Sequence, residues 1–188
     1  MTVTRTIILV VLTLLLLTPG RCLMAVEVDG SSSAVFTNPA PSTAVVSGVG
    51  TSFFTWGDPA GFGTGPSTLR FTGTPFSTAT QQAFIVGTLD YFNGTIVQTT
   101  GATAVDLNIS ISLTLPNGSG AGISHTLRMI NSPNTDDPVA SADWVFLPTK
   151  FPNKIAFSFD GIDYILRRWK GTKLATTEST SLGVTGQS

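Results

Sequence analysis

Asn134, Asp136, Asp137 and Asp143 make the densest cluster of acidic and amide side chains in a 188-residue chain of which only 11% is charged. They fall in NSPNTDDPVASADWVFLP, residues 131–148, with a proline at 138, small residues at 140–142 and a strand-like WVFL at the end. Carboxylate and amide oxygens are hard donors of the kind Ca²⁺ takes, provided several converge together with backbone carbonyls. The spacing does not fit an EF-hand loop. Asn and Asp are equally the residues that hydrogen-bond their own backbone in turns, and Asp137-Pro138 is a natural turn initiator. Two readings therefore stand, a calcium site and a polar turn, and the turn asks for less. The acids should either converge on one point or face backbone amides.

Nucleophilic chemistry finds little support. His125 is the only histidine and shares parity with Ile123, Leu127 and Met129, which turns it toward a core rather than a substrate. No G-x-S-x-G motif is present, and a single histidine cannot build a His-rich zinc site, so no catalytic residue is assigned. A secreted glycan hydrolase, the enzyme alternative, would need two carboxylates about 5–10 Å apart across one sugar. Asp90, Asp106, Asp137, Asp143, Asp160 and Asp163 are available, but nothing in their spacing selects a pair.

Aromatic rings offer a different chemistry, because an apolar face with a polar edge can stack on a sugar. Among Trp56, Trp144, Trp169, Tyr91 and Tyr164, Trp56 reads as core and Trp144 shares parity with Phe146, which favours burial. Trp169 is flanked by charges and is the ring most expected at the surface. Trp169, Trp144 and Tyr91 are the ligand-binding candidates. Asn93, Asn108 and Asn117 each open an N-x-S/T triplet and would accept glycans in a eukaryotic secretory pathway.

The elements that must hold these residues are strands. Val105, Leu107, Ile109, Ile111, Leu113 and Leu115 alternate with polar residues through VDLNISISLTL, the period of two that puts one row in a core and the other in solvent. Further strands are expected at 51–56, 67–73, 84–92, 95–99, 125–130, 143–147, 154–159 and 162–169, with one more around Ala34 to Thr37. Asn93-Gly94 and Asp160-Gly161 are the residue pairs that favour type I′ turns, so each predicts a two-residue hairpin. Glu27 and Glu178 are the only glutamates. Residues that cover helix surfaces are scarce while β-branched and aromatic ones abound, which predicts an antiparallel, jelly-roll-like β-sandwich spanning 26–188 as one domain.

The first 25 residues have the layout of an export leader: Arg5, then IILVVLTLLLL, then Thr18-Pro19-Gly20. The apolar run is shorter than the roughly 18 residues of a spanning helix, so no membrane span is expected in the mature chain. Cleavage is placed after Ala25, with Gly20 as the alternative. Cys22 follows Arg21 rather than a small residue, which argues against lipidation there. Loss of Arg5 and Arg21 leaves 8 basic against 11 acidic residues, a formal charge of −3 and no cysteine. A disulfide framework is then excluded, and the one basic run, Arg167, Arg168, Lys170 and Lys173, has no interleaved aromatic but Trp169 and sits in an acidic chain, a poor partner for nucleic acid.

Several segments, taken in order, carry a family likeness: GVGTSFFTWG at 48–57, PSTLRFTG at 66–73, VGTLDYFNGTI at 86–96, AVDLNISISL at 104–113, SPNTDDPVASADWVFLP at 132–148 and FDGIDYIL at 159–166. The chain resembles the choice-of-anchor K domain, a secreted module of mostly cyanobacterial and other bacterial surface proteins. The first and fifth segments are the most specific. The resemblance implies an extracellular β-sandwich and supplies no catalytic residues. The ending RRWKGTKLATTESTSLGVTGQS departs from the family pattern, and no sorting tail is read there. The expected role is non-catalytic binding or structure at a cell surface or in the matrix, toward extracellular polysaccharide or a surface protein. An adhesive module working through its sheet edges is the other alternative.

Overall fold

The computed structural model describes residues 5–10, 26–80, 82, 84–115, 120–135, 141, 143–147, 155–159 and 162–166. Among them the chain forms β1 (Arg5–Val10), β2 (Glu27–Ala40), β3 (Val46–Ser47), β4 (Phe53–Trp56), β5 (Ser67–Gly73), β6 (Phe76–Ala79), β7 (Ile85–Phe92), β8 (Ala104–Leu115), β9 (Gly120–Ile130), β10 (Trp144–Phe146), β11 (Ile155–Phe159) and β12 (Ile162–Leu166), with a 3-10 turn at Gln98–Thr100. One antiparallel sheet has the order β1-β7-β5-β4-β3 and another the order β10-β9-β8-β2-β6, while β11 and β12 pair with each other. The all-β sandwich expected from composition and alternation is the fold. No helix among the described residues is long and apolar enough to cross a membrane.

Period-two patterning decides which side chains meet between the sheets. Val105, Leu107, Ile109, Ile111 and Leu113 of β8 are all buried, as are Leu127 and Met129 of β9. Phe54, Trp56, Leu69, Phe71, Leu89 and Tyr91 face them from the other sheet and close one continuous core. Phe36, Phe54, Trp56 and Tyr91 form a chain of rings with successive centroids 5.8, 5.8 and 5.9 Å apart. His125 lies in the buried row of β9 with Leu127 and Met129, where its parity put it.

Two expectations change. The strand expected around Ala34 to Thr37 runs the full length of Glu27–Ala40 and lies between β8 and β6. Its glycine and serines have low strand propensity, but tertiary contacts override that. Gly30 packs against the Phe76 ring and the Ser112 carbonyl, where a β-carbon would collide. Ser32 Oγ donates across to the Val86 carbonyl, tying the two sheets together.

The hairpin expected at Asn93-Gly94 does not form, and 95–99 is not a strand. Instead the Gly94 N–H donates to Ser67 Oγ, the Thr95 N–H to Thr64 Oγ1 and the Val97 N–H to the Asp58 carbonyl, which lays this segment against the β4–β5 loop. Ile96 is buried there, and the β7 edge that a returning strand would use carries β1. The second expected hairpin is present, with Phe159 opposite Ile162 and two residues between them.

Candidate functional site

The Asn- and Asp-rich segment from Asn131 begins where β9 ends. Asn131 Oδ1 accepts a hydrogen bond from Trp56 Nε1 at 3.0 Å, and its Nδ2 donates to the Ala102 carbonyl at 2.9 Å. A β-carbon on Gly101 would press into the Asn131 amide, so only glycine admits this arrangement. The indole N–H of a fully buried tryptophan needs a partner, and Asn131 supplies it. GVGTSFFTWG and the segment starting at Asn131 are thus joined by a hydrogen bond in the interior.

Beyond Asn131 the polar groups engage backbone. Asp143 is 5% exposed, and one of its carboxylate oxygens accepts the Ser132 N–H at 2.6 Å. Burial raises its pKa from 3.8 to about 6, against the lowering effect of that hydrogen bond. Asn134 Nδ2 donates to the Ile96 carbonyl at 3.0 Å. Ser141 Oγ accepts from the Thr135 N–H at 2.7 Å, and the Ser141 carbonyl accepts from Asn93 Nδ2 at 3.3 Å. Asn134 and Asp143 therefore shape the loop between β9 and β10, while Asp136 and Asp137 lie outside the described residues. Among the described residues no three His, Cys, Asp or Glu side chains gather as a metal site would require.

The carboxylates expected to offer a glycosidase pair are dispersed. Asp106 lies on the outer row of β8, accepting from Asn38 Nδ2 and Thr126 Oγ1. Asp90 lies on the outer row of β7 in the opposite sheet, between the buried Leu89 and Tyr91. Asp90 and Asp106 point away from one another across the sandwich and cannot face one sugar. Asp143 is buried in its loop, Asp163 falls in β12, and Asp137 and Asp160 lie outside the described residues.

The aromatic candidates separate cleanly. Tyr91, expected as a binding ring, is a core residue: it is 7% exposed and stacks on Trp56 with 5° between the planes, because its parity follows Leu89 inward. Trp169 lies outside the described residues. Trp144 stands on the outer face of the edge strand β10, half-buried, with the exposed Phe146 beside it at 6.4 Å between centroids and 23° between planes. The burial expected from their shared parity is overturned, because Val145 and Leu147 take the inward row and pack against the core. Register puts Trp144 opposite Ile130 and Phe146 opposite Arg128, both on the outer row of β9. The Arg128 guanidinium sits 5.9 Å from the Phe146 ring centre.

Two aromatic rings, an exposed isoleucine and an arginine thus share one patch at the sheet edge. Sequence reasoning reached Trp144 but missed Phe146, Arg128 and Ile130. The signal was there, because positions 128 and 130 alternate against the buried 127 and 129. Of the glycan-acceptor asparagines, Asn93 is exposed, Asn108 bonds Thr37 Oγ1 through the nitrogen a glycan would take, and Asn117 lies outside the described residues.

No family model matches the sequence, and a comparison with curated proteins finds no match. The geometry of the aromatic patch and the sequence patterns carry the functional reading.

Proposed function

We propose that the chain is a secreted, non-catalytic β-sandwich module of choice-of-anchor K type that binds extracellular polysaccharide through the outer-face patch of Trp144, Phe146, Arg128 and Ile130. The observation that carries the reading is the pair of near-parallel rings on β10 with the Arg128 guanidinium over Phe146. The rings offer apolar faces to the C–H surface of a sugar, and the guanidinium offers fixed N–H donors to hydroxyl or carboxylate groups at its edge. Export is supported by the leader-like first 25 residues and by a mature chain without cysteine. Calcium held by Asn134, Asp136, Asp137 and Asp143 would be an accessory to this role.

The test is binding of the purified chain to arrayed bacterial and plant polysaccharides, repeated with a chelator. Trp144→Ala and Phe146→Ala should each weaken binding at least about tenfold, the scale of one anchoring aromatic. Unfolding midpoints should stay near the parent value, since both rings are outside the core. Undiminished binding by the double variant, or no glycan bound by the parent, removes the reading. A loss of binding with chelator alone would point to the cation.

A further inference from the structure

The edge of β7 is a second surface with its own chemistry. Strand β7 spans eight residues, IVGTLDYF, bonded to β5 on one side and to β1 on the other. The β1 pairing is antiparallel, from Arg5 opposite Tyr91 to Leu9 opposite Gly87, with a shift before Val10 opposite Ile85. Phe71 lies opposite Leu89 but donates its N–H to the Ser52 carbonyl on its other flank. Bonded and non-bonded pairs alternate in an antiparallel ladder, so the N–H and C=O groups of Gly87, Leu89 and Tyr91 face β1.

Arg5–Val10 belongs to the segment read as an export leader. Its removal would uncover these groups along an edge with no proline, no lysine and a single acid. Natural edges are usually blunted by such residues, by bulges or by a covering segment. The chain's own next segment does not cover this one, because residues 94–97 are held against the β4–β5 loop.

We propose that the β7 edge of the processed protein is a strand-acceptor site whose occupant is an extended apolar segment of another polypeptide, with the chemistry of the RTIILV now seated there. The inference rests on the leader reading and adds a protein partner to the polysaccharide proposed above. Main-chain bonds to Gly87, Leu89 and Tyr91 would supply affinity, and a run of Ile, Leu and Val would supply the strand propensity. With the leader in place, Arg5–Val10 pairs along this edge.

The experiment uses the full chain with a protease site placed after Ala25, cut once folded and freed of the released segment, and a soluble peptide, KKRTIILVKK. Amide exchange at Gly87, Leu89 and Tyr91 should be slow in the uncut chain, at least about tenfold faster after release, and slow again with saturating peptide. Binding should be one to one, and KKRTPIPVKK should neither bind nor protect.

Lack of saturable binding, or protection confined to other strands, overturns the proposal. So does a cut chain that forms a dimer with those amides protected, because a second copy is then the occupant. Loss of the far-UV strand signal on release also overturns it, since β1 is then a permanent strand. The leader reading is checked separately by the N-terminus of the exported protein. An uncut N-terminus removes that reading whatever the peptide does.

Discussion

At residue 143 a carboxylate is held where water reaches it poorly, and that has a consequence for pH. The folded pKa of Asp143 is raised from 3.8 to about 6, chiefly by desolvation, with the Ser132 N–H acting the other way. Between those two values the folded chain holds a proton that the unfolded chain releases. The stability linked to this group is therefore fully present below pH 3.8 and is lost as pH rises through about 6. The whole shift corresponds to about 3 kcal/mol, and residual solvent access reduces the expected effect to about 1–2 kcal/mol. Asp143→Asn keeps an oxygen for the Ser132 N–H and removes the titration. Urea unfolding at pH 4.5 and 7.5 should show a smaller loss of stability with rising pH in the variant than in the parent, and equal losses would dismiss the assignment. The sequence showed an acid-rich turn here, but not that Asp143 would be buried, because burial depends on how the loop closes over Ile96 and Ser132.

Strand β8 displays at the level of one element why so much of this fold can be read from pattern. Its apolar and polar rows separate without exception from Val105 to Leu113, and the structure buries the first and exposes or half-exposes the second. Ile109 sits between Ala34 and Ile123 in the sheet and is 1% exposed, whereas Ser110 faces solvent. Ile109→Ala should cost about 2–5 kcal/mol in chemical unfolding, and Ser110→Ala should stay within about 0.5 kcal/mol. Similar costs at the two positions would mean that the row assignment is wrong. Strand β2 is set by its neighbours rather than by local pattern. Its VDGSSSAVFTNPA carries weak local preference and becomes a long strand only because β6 and β8 flank it. The Asn93-Gly94 pair shows the opposite failure. Its local turn preference is strong, yet hydrogen bonds to Ser67, Thr64 and Asp58 and the burial of Ile96 lead the chain elsewhere. The aromatic patch was half legible for a related reason, since Trp144 and Phe146 share a face by parity, but only the pairing of β10 with β9 reveals that Arg128 and Ile130 join them.

The sandwich as a whole is assembled from contacts that are distant in sequence. Thr37 and Asn108, which link β2 to β8, lie 71 positions apart, and Trp56 of β4 and Asn131, which follows β9, lie 75 apart. Strands adjacent in the chain repeatedly belong to different sheets, as with β5, β6 and β7. Neither five-stranded sheet can therefore bury its inner face until the other is in place. Such topology couples the two five-stranded sheets to one another and slows the search for native pairings. Unfolding followed by tryptophan fluorescence, to which the fully buried Trp56 contributes, should coincide in midpoint with unfolding followed by far-UV circular dichroism. Refolding after denaturant dilution should take milliseconds to seconds rather than microseconds, the range of proteins dominated by non-local strand pairing. Separate midpoints for the two signals would mean that one sheet persists without the other, which the shared core of Phe36, Phe54, Trp56 and Tyr91 rules against.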